Sequence, residues 1–129
     1  MYEEPKFFVC EVCGNLVGMI HSSGVPMMCC GKKMTELKAN TSDGAAEKHV
    51  PVVKQDGSKV TVLVGDVLHP MTEEHHIAWV YLRTEHGGQR HELCHDGKPE
   101  AVFCLPEGEK ALAVYAYCNL HGLWKADVK

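Results

Sequence analysis

The sequence predicts an all-β protein, with a small metal-binding amino-terminal unit over 1–38 and an antiparallel β-sandwich over 39–129. Three observations carry this expectation. Apolar residues beyond residue 50 recur with period two, short turn signals interrupt them every few residues, and cysteine and histidine are segregated along the chain. With 129 residues, 45% hydrophobic and 23% charged, the chain has apolar material for one or two small cores.

The amino-terminal unit holds Cys10-Glu-Val-Cys13-Gly14 and Cys29-Cys30-Gly31. A Cys-x2-Cys turn lets two thiolates grip one ion, and a glycine just after the pair supplies the φ > 0 that aims amide N–H groups at sulfur. Adjacent Cys29 and Cys30 are poorly placed for a mutual disulfide but can both reach one metal from a distorted turn. So short a segment buries too little to fold unaided, and a tetrahedral metal site of Cys10, Cys13, Cys29 and Cys30 is expected to hold it together. Spacing alone leaves zinc and iron open. Met27 and Met28 are read as packing around this site, and 32–38 as at most a short helical turn.

The stretch 38–44 is polar and turn-rich, the composition of a linker. Beyond it, strands are expected over 50–54, 59–64, 77–84, 89–94, 101–105 and 110–118. Val60, Val62 and Val64 share one face, Ile77, Trp79 and Tyr81 another, and Leu112, Val114 and Ala116 a third. Turn signals at 55–58, 85–88, 96–97 and 105–108 predict hairpin connections.

Thirteen Lys and Arg against seventeen Asp and Glu leave a net charge of −4, which excludes nucleic acid as a partner. No apolar run approaches the roughly 20 residues that span a bilayer. Met1-Tyr-Glu-Glu-Pro5 is acidic where a secretory signal is basic and then apolar, so a soluble cytoplasmic protein without a membrane partner is expected. In that reducing compartment an odd set of seven cysteines favours metal ligation over disulfides.

Candidate ligands of a second centre are His49, His69, His75 and the pair Cys118-Asn-Leu-His121, each at a strand end or in a loop. Loops at one end of a sandwich converge, so these donors can meet around one ion. Five donors exceed the four of a closed zinc site and leave an octahedral metal with one open position. Strong thiolate donation to that position favours iron cycling between ferrous and ferric. His21, His76, His86, His91 and His95 are read as surface residues, and Cys94 and Cys104 as small strand residues. A copper electron carrier would use a similar late Cys and His, but it lacks a following Met, since none occurs after Met71.

These motifs, with Glu47-Lys48-His49-Val50-Pro51, His69-Pro70-Met71 and Cys118-Asn-Leu-His121-Gly-Leu-Trp124, resemble the desulfoferrodoxin family of two-iron superoxide reductases. The likeness covers essentially the whole chain. It implies a desulforedoxin-like first domain with iron on Cys10, Cys13, Cys29 and Cys30. It further implies an immunoglobulin-like second domain whose catalytic iron takes His49, His69, His75 and His121 in a plane with Cys118 axial. The implied activity is one-electron reduction of superoxide to hydrogen peroxide without release of oxygen, fed by an external donor such as rubredoxin, in a homodimer. An acidic protein repels superoxide at long range, so a local cation is required beside the site, and Lys48 adjoins His49. The resemblance assigns Lys48 to that role and Glu47 to capping the iron after product leaves.

Overall fold

The computed structural model describes residues 4–42 and 44–128, which divide between Lys38 and Ala39 into two compact units. In the first, β1 (Lys6–Val9) and β2 (Leu16–Met19) precede three two-residue strands, β3 (Met28–Cys29), β4 (Lys32–Lys33) and β5 (Thr35–Glu36). Strand β1 is central and pairs antiparallel with β2 and β5, while β3 and β4 form a separate hairpin. Among the described residues Phe7, Cys10 and Met34 are its buried side chains, a core far too small to stabilise a sheet alone.

Gly14 and Gly31 take φ of +82° and +72°. Cys30 is left-handed as well, at +52°, so Cys30-Gly31 makes the two-residue turn between paired Cys29 and Lys32 with positive φ at both central positions. No helical turn forms over 32–38. That hairpin draws Lys32–Lys33 into β4, and Thr35–Glu36 pairs with β1. Met28 is exposed rather than packed, and Met34 is the methionine that enters the core.

The second unit opens with one helical turn, α1 (Ala46–His49), and continues through β6 (Pro51–Asp56), β7 (Lys59–Val64), β8 (Ile77–Thr84), β9 (Gly87–Glu92), β10 (Glu100–Cys104), β11 (Ala111–Cys118) and β12 (Gly122–Asp127). Two antiparallel sheets result, ordered β10-β7-β6 and β12-β11-β8-β9, the seven strands in sheets of three and four of an immunoglobulin-like sandwich. Val60, Val62 and Val64 from one sheet meet Ile77, Val80, Leu82, Val114, Ala116 and Cys118 from the other, with Phe103 among them. Alternation places the β7 valines correctly, and all three are fully buried.

Three expectations are corrected here. Ile77 does not share a face with Trp79 and Tyr81. The register slips between Tyr117/Cys118 and their partners Trp79 and Ile77, so Ile77 enters the core beside Val80 while Trp79 stacks on Tyr117 at 5.5 Å. A bulge of this kind re-aims side chains locally. A second slip, at Ala111/Ala113, packs Ala111 against the core where alternation puts Leu112. The turns at 96–97 and 105–108 are not hairpins: they lead into and out of β10, which belongs to the other sheet. Strand β12 was also not anticipated, because its consecutive buried residues Leu123 and Trp124 break the period-two pattern. Among the described residues, no helix is long and apolar enough to cross a membrane.

Candidate metal centres

In the first unit the turn after β1 closes with Gly14 N–H donating to the Cys10 carbonyl at 2.9 Å. The Cys13 N–H lies 3.5 Å from Cys10 Sγ, and Asn15 Nδ2 lies 3.6 Å from Cys29 Sγ. The β3–β4 hairpin brings Cys29 and Cys30 against this turn, and all four sulfurs lie within 4.8 Å of one another. The Cys13–Cys29 and Cys29–Cys30 sulfur separations are 3.7 and 3.9 Å. A tetrahedron with metal–sulfur bonds of about 2.3 Å has edges of about 3.8 Å. These separations match that, and they far exceed the roughly 2.05 Å of a disulfide. The Cys13 and Val12 amides draw Cys10 down to about 6, whereas the sulfurs of Cys13 and Cys10 raise Cys29 and push Cys30 up to about 12. Four thiols so placed cannot all ionise until a cation joins them. Asn15 was not singled out from the sequence, where it sits inconspicuously after Gly14.

In the second unit five donors gather at one end of the sandwich. His49 closes α1 just before β6, His69 follows β7, His75 precedes β8, Cys118 ends β11 and His121 lies in the turn to β12. The imidazoles form a near-square, with neighbouring ring centroids 4.5 Å apart for His49–His69 and His69–His75, 5.0 Å for His75–His121 and 4.9 Å for His121–His49. The His49–His75 diagonal is 6.2 Å. Neighbouring rings stand 68–83° apart, like blades. Cys118, fully buried, holds its sulfur 3.4 Å from His69 Nε2 and 3.8 Å from His121 Nδ1.

Ring orientation comes from the backbone. His49 Nδ1–H donates to the Ala45 carbonyl at 2.8 Å and His69 Nδ1–H to the Pro70 carbonyl at 2.7 Å, which leaves a lone pair on each Nε2. Trp124 stacks on His49 at 4.8 Å and donates its indole N–H to the His121 carbonyl, an anchor to which sequence reasoning assigned no role. Burial holds His49, His69 and His75 below the ordinary imidazole value, His69 at about 4, so neutral donors face the centre. Burial pushes the Cys118 thiol up, and the Leu120 and His121 amides pull the other way. His75 Nε2 is buried without a hydrogen-bond partner. Orphaned nitrogen, facing lone pairs and a buried thiol are what a resident cation would relieve.

Lys48 and Glu47 are exposed on α1, and the Lys48 charge reaches His49 and His75, helping to lower both. Gly65 fixes that turn: a Cβ there would lie 2.7 Å from the Glu47 carbonyl oxygen and 2.9 Å from that of Val50. His76 stands outside the square, with Nδ1 on the Thr72 carbonyl and its ring 5.9 Å from His95. His86 pairs with Glu109 at 2.6 Å, and His91 is half-buried, stacked on Phe103 at 4.3 Å. Cys94 and Cys104 are exposed free thiols.

The family model described as desulfoferrodoxin matches residues 41–127, and that of the desulfoferrodoxin N-terminal domain matches 3–37. The chain belongs to the desulfoferrodoxin family. It is 44% identical to the desulfoferrodoxin of Syntrophotalea carbinolica over 98% of this chain and 99% of that one. The crystal structure of the superoxide reductase from Treponema pallidum is similar across 98% of this chain and 99% of its own, at 39% identity and a TM-score of 0.83. The superoxide reductase of Pyrococcus horikoshii is 39% identical, aligned to 74% of this chain and 98% of its own length. The two donor sets fit the two iron ions of a desulfoferrodoxin: four thiolates for the first, and for the second a thiolate with the imidazoles of His49, His75 and His121, which lie within 4.8 Å of one another, joined by His69, whose Nε2 is 3.1 Å from that of His49 and 3.4 Å from the Cys118 sulfur.

Proposed function

We propose that this desulfoferrodoxin is a superoxide reductase acting through His49, His69, His75, His121 and Cys118. The near-square of four imidazoles beside a fully buried thiol carries the reading, because these five donors would hold one redox-active ion and exceed the four of a closed zinc site. His49, His69, His75, His121 and Cys118 would hold a ferrous ion, which when bound would supply the one electron that, with two protons, converts superoxide to hydrogen peroxide without forming dioxygen. The protein's own part is to keep the imidazoles neutral and aimed, and to keep the sulfur out of water. Amide N–H groups of Leu120 and His121 temper the sulfur's charge.

Lys48, exposed beside His49, draws the anion in and orders the water from which protons arrive. Glu47, on the same turn, offers a carboxylate to the open side once product has left. The Cys10, Cys13, Cys29 and Cys30 iron belongs to a separate domain over 1–38, with the catalytic domain over 39–129. The electron donor is rubredoxin or a protein like it, the compartment is the cytoplasm, and the chain works as a homodimer. Val12, Ile20, Val25 and Met28, all exposed, are apolar surface that such pairing would cover.

Metal content and the visible spectrum of the isolated protein test this reading. Two irons per chain, and a broad long-wavelength thiolate band that appears on oxidation, are expected. A colourless zinc protein without a second metal would overturn it.

A further inference from the structure

Asn119 joins the two loops that deliver Cys118 and His75. The last paired residues of β11 and β8 are Cys118 and Ile77. Beyond them the Asn119 N–H donates to the His76 carbonyl at 3.1 Å, and the side chain adds two more bonds. Its Oδ1 accepts from the His76 N–H at 2.8 Å, and its Nδ2 donates to the Glu74 carbonyl at 2.9 Å. The amide thus stands in for a peptide group and carries the pairing past the end of both strands.

Between those two anchored residues sits His75. Its own N–H bonds to Thr72 Oγ1 at 3.1 Å and its carbonyl accepts from the Thr72 N–H at 2.9 Å, so the backbone of this ligand is tied on every side. His49 and His69 are aimed through ring hydrogen bonds to carbonyls; His75 is aimed from its backbone, and its Nε2 points into the cluster without a partner. Asn119 lies one residue from Cys118 and two from His121, so a single side chain sets the spacing of three donors.

We propose that Asn119 is a positioning residue of the His49/His69/His75/His121/Cys118 centre, locking the His75 loop to the Cys118–His121 turn. It rests on the reading of that cluster as a metal centre. Without the amide, the Asn119 N–H to His76 carbonyl bond alone ties the His75 loop to the Cys118 turn, and the loop shifts His75 relative to Cys118 and the other imidazoles. The ligand field then loses symmetry and the ion escapes more readily.

The test is full-length protein loaded with iron, as Asn119→Ala and as Asn119→Asp. Two quantities are read: the position of the thiolate band after oxidation, and the rate at which a chelator strips the second iron. The Cys10/Cys13/Cys29/Cys30 spectrum serves as an internal check on the rest of the chain. In Asn119→Ala the band is expected to shift and extraction to quicken by about tenfold or more. Asn119→Asp keeps an acceptor for the His76 N–H but cannot donate to the Glu74 carbonyl, so it should fall between. Asn119→Ala carries no backbone strain, since φ here is not positive; if it nonetheless fails to load, Asn119→Asp decides alone. Wild-type band and extraction rate in a loaded Asn119→Ala, or in Asn119→Asp where the alanine variant does not load, would overturn the proposal. Wild-type protein that shows the band yet leaves superoxide unconsumed would overturn the functional reading and leave this one standing.

Discussion

His49 Nε2 and His69 Nε2 lie 3.1 Å apart, while the Nδ1 of each ring is already committed to a backbone carbonyl. Both facing nitrogens therefore carry lone pairs, and no hydrogen bond can form between them. Such an arrangement is repulsive without a cation and favourable with one, so the folded chain stores its metal preference in two short backbone contacts.

A pH dependence of the metal-free protein follows. His49, His69 and His75 are held below 6.5 by burial first, His69 at about 4, whereas the unfolded chain titrates near the ordinary value. Between those limits the unfolded state binds more protons, so stability is full above about 6.5 and is lost as pH falls toward about 4. Thermal melts of the metal-free protein from pH 7.5 to 5 should show a falling Tm, and metal loading should raise Tm throughout. A flat Tm would contradict the buried neutral cluster.

Replacing the buried sulfur separates colour from fold. Cys118→Ser keeps size and polarity near the original but substitutes a hard oxygen for a soft donor. The long-wavelength band on oxidation should vanish and turnover should fall by about a hundredfold or more, with the Cys10/Cys13/Cys29/Cys30 spectrum intact. Retained activity would remove Cys118 from the centre.

Lys48 is the cation nearest in sequence to the square. Lys48→Ala should slow capture of superoxide by about tenfold at low ionic strength and flatten its salt dependence, with metal content unchanged. Stopped-flow or pulse-radiolysis rates at two salt concentrations read this directly, and equal rates in both proteins would exclude steering by Lys48.

Gly65 is a structural requirement that no motif announces. An added methyl would sit 2.7 Å from a backbone oxygen of α1, and backbone cannot swing aside as a side chain would. Gly65→Ala should cost about 1–3 kcal/mol and displace the turn bearing Glu47, Lys48 and His49. Denaturant midpoints and the superoxide rate should fall together; an unchanged rate would show that α1 tolerates the shift.

The donors gathered in both clusters are those that residue type and spacing single out, because thiol and imidazole announce their chemistry in any fold. Gly14 and Gly31 were equally legible, since only a left-handed turn brings amides round to sulfur. What escaped was set by tertiary packing. The slip opposite Ile77 reverses a face that alternation alone assigns, and it lies beside Cys118, where register decides which way the sulfur points. Trp124 was hidden for the opposite reason: it and Leu123 are both buried, Trp124 against His49, so β12 lacks the alternation that marks a strand. Nor does any pattern show that Gly65 must lack a side chain, because its neighbour is the backbone of a turn fifteen to eighteen residues earlier.

The central claim is reduction without dismutation, and product stoichiometry tests it most directly. Iron-loaded protein with a reduced donor in excess, given a metered flux of superoxide, should yield one hydrogen peroxide for each superoxide consumed and no dioxygen above the uncatalysed background. Half that peroxide, with matching dioxygen, would mean dismutation and would contradict the account.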